Sequence, residues 1–221
     1  MTTSGRKRSG GKASGVKLSE VRLSARSSLE TVAACVAAAM TRAGIRAVLT
    51  GGACASLYSR GAYQSSDLDF VLQSAASKRT IDGVMQSIGF LREGDHYRHP
   101  TAPFFVEFPA GPLGIGSDLR IEPVAYRVGR ISVLALSPTD SCRDRLAGFY
   151  HWNDRQSLMA AVAIAKRRKV DMAAIAEWSK REGELPAFEV FKSKVSPSAG
   201  MDRSRRRRVR RAGRKPRTTK T

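Results

Sequence analysis

The chain has 221 residues and a formal net charge of +20 at pH 7, from 39 Lys and Arg against 19 Asp and Glu. No apolar run approaches the roughly 18 residues that a membrane span requires, and the first residues lack the apolar core of a secretory signal. We therefore expect a cytoplasmic protein that does not bind a membrane. Its three cysteines, Cys35, Cys54 and Cys142, show no CxxC or CxxH spacing, which argues against a disulfide framework and against a zinc site.

The two ends of the chain differ in composition from the middle. Residues 1–28 carry seven Lys or Arg and one Glu, residues 192–221 carry thirteen Lys or Arg and one Asp, and neither stretch contains an aromatic residue. This composition predicts a disordered basic arm over 1–28, and a linker with a disordered Arg-rich tail over 184–221. Counterion release attracts such tails to polyanions, so RNA or another nucleic acid is one candidate partner. A solubilising extension explains the same composition equally well.

Hydrophobic periodicity predicts alternating helices and strands between the tails. A capping box at Ser27 and Glu30 begins a helix that ends at Gly44. The pattern then predicts a short buried strand, a short helix, a strand, an amphipathic helix, a hairpin and a further strand, at residues 45–50, 53–60, 67–73, 77–89, 90–99 and 103–109. Two more strands follow about Gly129, within residues 122–136.

The last predicted elements are helical. Ser137, Pro138 and Asp140 supply an N-cap, a proline at the first helical position and an acid in the first turn. Helical segments follow over residues 141–152, 154–169 and 172–183. The whole pattern predicts an α+β fold, with a mixed sheet flanked by helices over 29–136, a helical C-terminal part over 137–183, and disordered basic tails.

The strand at 67–73 begins with Asp-Leu-Asp. Positions i and i+2 of a strand face the same side, so Asp67 and Asp69 present two carboxylates together while Leu68 and Phe70 pack into the core. Two like charges whose α-carbons are about 7 Å apart repel unless a cation lies between them. Hard oxygen ligands select Mg²⁺ or Mn²⁺. The other interpretation of the pair is a solvated strand edge.

Two further features favour a site for phosphate and metal. Gly51 and Gly52 lie at a strand-to-helix turn, where free backbone N–H groups and the helix dipole favour an anion. Glu107 lies in an otherwise apolar strand, where an unpaired charge is costly, so either a metal or a donor faces it or it lies on an edge in water. If that strand neighbours the one with Asp67 and Asp69, three carboxylates converge, which suffices for two metal ions.

The remaining candidates for chemistry have structural explanations. His96, His99 and His151 have no fourth partner at metal spacing, so we interpret them as surface or packing residues. Trp152 and Trp178 are expected in the core instead of serving as platforms for a base.

The turn, the acid pair and the later acid together resemble a known superfamily. A Gly-Gly turn, a short helix, a D-x-D strand and an acid on a later strand are similar to the nucleotidyltransferase superfamily typified by polymerase β and the minimal nucleotidyltransferases. Within it, LTGGACASLYSRGAYQSSDLDF is most similar to AbiEii-type and related uncharacterised bacterial nucleotidyltransferase-like proteins, some of them toxins of toxin–antitoxin pairs. By this resemblance, the nucleotide-binding residues are Gly51, Gly52, Ser56 and Arg145. The catalytic, metal-binding residues are Asp67, Asp69 and Glu107, the last as third ligand or base.

Two functions of different class follow. The first is a Mg²⁺- or Mn²⁺-dependent nucleotidyltransferase that moves an NMP from an NTP to a hydroxyl of RNA, protein or a small molecule, with an antitoxin as a further candidate partner. The second is a catalytically inactive nucleotide- or nucleic-acid-binding protein on the same fold, which binds through its basic tails.

Overall fold

The structure is a computed structural model that describes residues 22–196, so residues 1–21 of the predicted arm and 197–221 of the predicted tail lie outside the described residues. The helices are α1 (Leu29–Arg42), α2 (Gly51–Ser59), α3 (Lys78–Gln86), α4 (Pro138–Trp152), α5 (Arg155–Ala165), α6 (Met172–Arg181) and α7 (Leu185–Val195). The strands are β1 (Ala47–Leu49), β2 (Asp67–Leu72), β3 (Leu91–Glu93), β4 (His96–Arg98), β5 (Phe105–Glu107), β6 (Val124–Val128) and β7 (Ile131–Ala135).

The strands form one mixed sheet, in the order β3-β4-β5-β2-β1-β7-β6. Strand β1 is parallel to β7, and β2 is parallel to β5, whereas the other neighbouring pairs are antiparallel. This topology confirms the predicted α+β class, with a mixed sheet and flanking helices. It also places β2 directly between β1, which leads into the glycine turn, and β5, which carries Glu107.

The two faces of β2 differ in burial. Leu68 and Phe70 are fully buried, whereas Asp67 and Asp69 alternate with them and are half-buried on the opposite face. Helix α2 packs against β2, and α1 packs against β1, β6 and β7. The period of two along the strand thus separates a core face from a polar face that lies near the start of α2.

Helix α1 begins one residue later than the capping box predicts. Ser28 is the N-cap, and its Oγ accepts a hydrogen bond from the Thr31 N–H. Glu30 does not reach back to the cap, because its carboxylate accepts a hydrogen bond from the Tyr126 hydroxyl at 3.1 Å. The predicted cap at Ser27 is therefore wrong in register, since two adjacent serines offer the same chemistry.

Helices α4 and α5 pack directly on α2. The Tyr58 hydroxyl in α2 donates a hydrogen bond to the Leu136 carbonyl at 2.7 Å, at the junction of the sheet and α4. Leu158 and Ile164 of α5 belong to the same hydrophobic cluster as Leu57 of α2. The helical C-terminal part therefore shares its core with the sheet.

The segments predicted as a disordered arm and as a linker with a disordered tail both include residues that are packed in the structure. Leu185–Val195 form helix α7 where the composition predicts a linker, and Phe188 and Phe191 are buried against the neighbouring helices. At the other end, Leu23 is buried, and its carbonyl accepts a hydrogen bond from the Thr101 hydroxyl. These boundaries are wrong because a few large apolar side chains offset the ordering entropy of an otherwise basic segment.

The predicted core placement is confirmed for one tryptophan and wrong for the other. Trp178 is 1% exposed, as predicted, but Trp152 is 77% exposed, so its placement in the core is wrong. Asn153 ends α4 in the left-handed conformation immediately after Trp152, and the chain turns away there. In the described residues, no helix combines the length and apolarity that crossing a bilayer requires.

The cysteines and histidines have packing roles. Cys35, Cys54 and Cys142 are free and buried. The His96 ring packs 5.3 Å from Phe105, the His99 ring packs 5.2 Å from Phe90, and the third histidine is exposed at the end of α4. The interpretation of the histidines as surface or packing residues agrees with this placement.

Candidate active site

Parallel pairing of β2 and β5 brings the predicted acids to one face of the sheet. The register aligns Asp69 with Glu107, and Asp67 with Phe105. Aligned residues of neighbouring strands point to the same face, as do residues two apart on one strand. Asp67, Asp69 and Glu107 therefore lie on the same side of adjacent strands, which meets the spatial condition that the sequence could only assume.

The neighbouring acids disfavour the negative charge of Asp69. Burial is the first cause that raises the pKa of Asp69, to about 6, and the charges of Asp67, Glu107 and Asp144 raise it further. The nearby Arg145 acts in the opposite direction. A carboxylate in this position gains most from an additional cation, because the cation relieves both the repulsion and the lost hydration.

The turn between β1 and α2 lies directly against Asp69. Gly51 has a φ of +62°, a conformation that side chains rarely adopt, and a Cβ atom there would overlap Oδ2 of Asp69 and lie 3.1 Å from its Cγ. The N-cap Thr50 makes no side-chain hydrogen bond to the first turn of α2. Helix α2 begins at Gly51, two residues before its predicted start, so the glycines form its first turn. An uncapped first turn suits an anion, and this one lies beside the acids.

The loop after α2 is tied to both the glycine turn and the acids. Ser65 Oγ donates to Asp67 Oδ1 at 2.5 Å, and the Ser65 N–H donates to Ser56 Oγ at 3.0 Å. Ser56 Oγ in turn donates to the Gly52 carbonyl at 3.0 Å. A Cβ atom at Gly52 would lie 2.5 Å from Ser65 Oγ and 3.2 Å from the Tyr63 hydroxyl. Ser56 therefore holds the loop in place, and its predicted contact with a nucleotide stays a prediction.

Helix α4 brings Arg145 to the same place. Its Nε donates to Asp144 Oδ2 at 2.9 Å, and its Nη2 forms an ion pair with the same oxygen at 2.8 Å. Burial alone lowers the pKa of Arg145, but the charges of Asp144, Tyr63 and Asp69 outweigh burial and raise it. The guanidinium is thus a fixed cation beside the acids, where it could contact a phosphate.

The sequence does not single out Asp144 or Ser65. Asp144 precedes Arg145, but adjacent residues of a helix do not face the same direction, so their shared proximity to Asp69 depends on how α4 packs. Ser65 lies two residues before Asp67, and a serine in a loop is too common to indicate a hydrogen bond to that acid. Tertiary packing supplies both of these neighbours.

A cavity of about 350 Å³ lies next to the loop that leads into β2, and Asp67, Asp69 and Glu107 are not among its lining residues. The start of α1, the end of α2, the loop after it and Phe104 form its walls, and Ser65 belongs both to the wall and to the hydrogen bond with Asp67. Leu57 contributes apolar surface, and Arg60 contributes a cation. This volume is at the lower end of the range for small-molecule pockets.

The donor set fits a hard divalent cation in kind, and strand pairing brings the three acids to one face of the sheet. Three carboxylates on one face supply the oxygen ligands that Mg²⁺ and Mn²⁺ prefer. In the part of the chain that the structure describes, no three His, Cys, Asp or Glu side chains are already arranged to hold a metal ion. One oxygen of Asp67 is occupied by the Ser65 hydroxyl. Metal binding at these residues therefore requires carboxylate side chains to rotate.

The fold is similar to that of a solved structure, the crystal structure of an antigenic nucleotidyltransferase-like protein from Paracoccidioides brasiliensis. The TM-score is 0.50 at 18% sequence identity, over 80% of this chain and 97% of that chain. No family model matches the sequence, and no curated protein matches it. The chain thus has a nucleotidyltransferase-like fold, as the resemblance of its motifs predicted, and the narrower AbiEii-type assignment gains no support from this likeness.

Proposed function

We propose that the protein is a nucleotidyltransferase that moves an NMP group from an NTP to a hydroxyl acceptor. The observation that carries the proposal is the alignment of Asp69 with Glu107 across parallel strands, with Asp67 on the same face and the Gly51 turn in contact with Asp69. A metal-bound NTP needs a phosphate-binding turn and a set of carboxylates next to it. The Gly51 turn and the three carboxylates lie close together, which supports both roles.

The proposed roles follow from the placement of each group. Asp67, Asp69 and Glu107 would hold Mg²⁺ or Mn²⁺, which when bound neutralises phosphate charge and activates the acceptor hydroxyl. The first-turn N–H groups at Gly51 and Gly52 would hold the triphosphate. Such groups lower the barrier mainly by positioning the reactants and by stabilising charge that develops on the phosphate oxygens.

In the proposed reaction, the acceptor oxygen forms a bond to the α-phosphorus while the bond from that phosphorus to the pyrophosphate oxygen breaks. The hydroxyl proton passes to a carboxylate, for which Glu107 is the candidate. Pyrophosphate then leaves with both electrons of the broken bond, and Arg145 would balance its charge.

The cavity beside Ser65 supports an approach of the acceptor towards Asp67. Its volume of about 350 Å³ admits a small molecule or the end of a larger one. RNA, protein and small molecules remain the proposed acceptor classes, and the basic tails favour RNA among them. A toxin–antitoxin role rests only on the resemblance of residues 49–70 to AbiEii-type sequences.

A second function, nucleotide or nucleic-acid binding without catalysis, is favoured by one observation. The acids of the described residues do not form a ready-made group of three metal ligands. A protein that had lost metal binding would keep the Gly51 turn for phosphate and the basic tails for a polyanion.

Transfer of label from each α-³²P-labelled NTP to total RNA or protein, in Mg²⁺, tests the proposal. We expect labelled product with one acceptor class, and loss of the label in Asp67→Ala and Asp69→Ala. Glu122→Ala, which removes an exposed acid just before β6, is the matched control and should transfer normally. Nucleotide binding by the folded protein without transfer favours the second function, and absence of both contradicts both.

A further inference from the structure

The side chain of Arg145 is held on two sides by residues outside the sheet. Asp144 accepts a hydrogen bond from its Nε and forms an ion pair with its Nη2, and Ser157 Oγ lies 3.5 Å from its Nη1. Ser157 is at the start of α5 and is 3% exposed. A contact of 3.5 Å is long for a hydrogen bond, so its direction has to come from the other partners of Ser157.

The hydroxyl of Ser157 has a defined orientation. Its proton is donated to Asp154 Oδ2 at 2.6 Å, so the oxygen lone pairs remain for the Arg145 guanidinium. The other oxygen of Asp154 accepts from the Gln156 N–H at 2.8 Å and caps α5. The hydrogen bond from Ser157, and to a lesser extent the charge of Arg145, hold the pKa of Asp154 below its usual value. Asp154 therefore has two roles: it caps α5, and it orients the Ser157 hydroxyl so that the oxygen faces Arg145.

A glycine on α4 lets the start of α5 approach Arg145. A Cβ atom at Gly148 would lie 3.0 Å from Ser157 Oγ and 3.2 Å from Ser157 Cβ. Any residue larger than glycine at this position would push α4 and α5 apart here. Residues between Asp144 and Ser157, on α4, α5 and the turn between them, thus hold the guanidinium of Arg145.

We infer that Ser157 and Asp154 are positioning residues that hold Arg145 towards the phosphates of the bound nucleotide. The inference rests on the proposed function, because it assigns Arg145 to the triphosphate. A guanidinium fixed before binding loses little conformational freedom when the nucleotide arrives, so the support acts on affinity for the NTP. Outer hydrogen bonds of this kind commonly change binding or activity by about 10- to 100-fold when they are removed.

Steady-state transfer kinetics and binding of a non-hydrolysable α,β-methylene NTP with Mg²⁺ test this role. We expect Ser157→Ala to raise KM and the dissociation constant for the nucleotide about tenfold while kcat changes less than about twofold. Ser157→Thr keeps the hydroxyl and should restore both constants. Asp154→Asn keeps a good N-cap but weakens the orientation of Ser157, and should raise KM in the same direction.

Asp171→Asn is the matched control. Asp171 caps α6 by accepting from the N–H groups of Ala173 and Ala174, and it makes no hydrogen bond to Arg145 in the described residues. An equal rise in KM in this variant would show that the loss comes from a weakened helix cap, and would overturn the inference. An unchanged affinity in Ser157→Ala, or a Thr variant that fails to restore it, would also overturn it.

The NMR signal of the Arg145 Nη1 amino group, the group that Ser157 contacts, separates this inference from the proposed function. The signal is assigned by its absence in Arg145→Lys, and we expect slow solvent exchange in the wild type and faster exchange in Ser157→Ala. If the wild type binds no nucleotide but shows this change, the proposed function fails and the support of Arg145 stands. If the exchange rate is the same in both proteins, the support is refuted whatever the nucleotide does.

Discussion

Replacing Asp69 by Asn should stabilise the metal-free protein at neutral pH. Burial and neighbouring acids raise the pKa of Asp69 to about 6, from an ordinary value of 3.8. The folded state therefore binds the Asp69 proton more tightly than the unfolded state does, and stability falls as pH rises from about 4 to about 6. Above pH 6 the ionised carboxylate is a net cost, which Asn avoids while keeping nearly the same shape.

The shift sets the size of the effect. At 1.36 kcal/mol per pKa unit, it corresponds to about 3 kcal/mol, and solvent screening of a half-buried group reduces this to about 1–2 kcal/mol. Urea unfolding in EDTA at pH 4 and pH 7.5 measures the difference. Asp69→Asn should exceed the wild type in free energy of unfolding by about 1–2 kcal/mol at pH 7.5, and by close to zero at pH 4.

The exposed Asp95 provides the control, since Asp95→Asn should leave the free energy of unfolding nearly unchanged at both pH values. If Asp69→Asn is destabilised, or if its advantage is the same at pH 4 and pH 7.5, the repulsive cluster of acids is not present as described.

Three other predictions concern the same regions. Gly51→Ala should destabilise the fold by about 1–3 kcal/mol and weaken NTP binding, because a Cβ there is strained at φ +62° and displaces Asp69. The control Gly129→Ala, at φ +58° with open space around it, should lose stability but not NTP binding. An equal loss of NTP binding in both variants would contradict the role of the turn. Mg²⁺ should raise the melting temperature of the wild type but not of Asp69→Asn, as measured by differential scanning fluorimetry, and a rise in both would place the metal elsewhere. Phe191→Ala should cost about 3–5 kcal/mol in urea unfolding because Phe191 is fully buried in α7, whereas the exposed Val190→Ala should cost much less; similar small effects would argue that α7 does not pack on the core.

The pattern of the sequence predicted the elements around the site because each has a strong local signal. The alternation in Asp67–Leu72 fixed which side chains share a face, and Ser137 with Pro138 fixed the start of α4. The pairing of β2 with β5 has no such signal, since the sequence of neither strand indicates which strand lies next to it. The alignment of Asp69 with Glu107 could therefore be stated only as a condition before the structure was known.

The parts that the sequence missed depend on packing between distant elements. Asp144 becomes a neighbour of Asp69 only through the direction of α4, and Trp152 is exposed because the chain turns at Asn153. The basic composition after residue 184 outweighed the helical spacing of Phe188 and Phe191 in the prediction of a linker. Composition averages over a segment, whereas two large side chains on one face are enough to order it.

Helix α2 is packed between the sheet and the C-terminal helices, so the strands and helices around the acids share one core. A change that shifts α4 or α5 would therefore also shift α2 and the glycine turn at its start. For the same reason, cutting the chain after residue 136 would strip one side of α2 and expose apolar surface, so the sheet could not be studied alone.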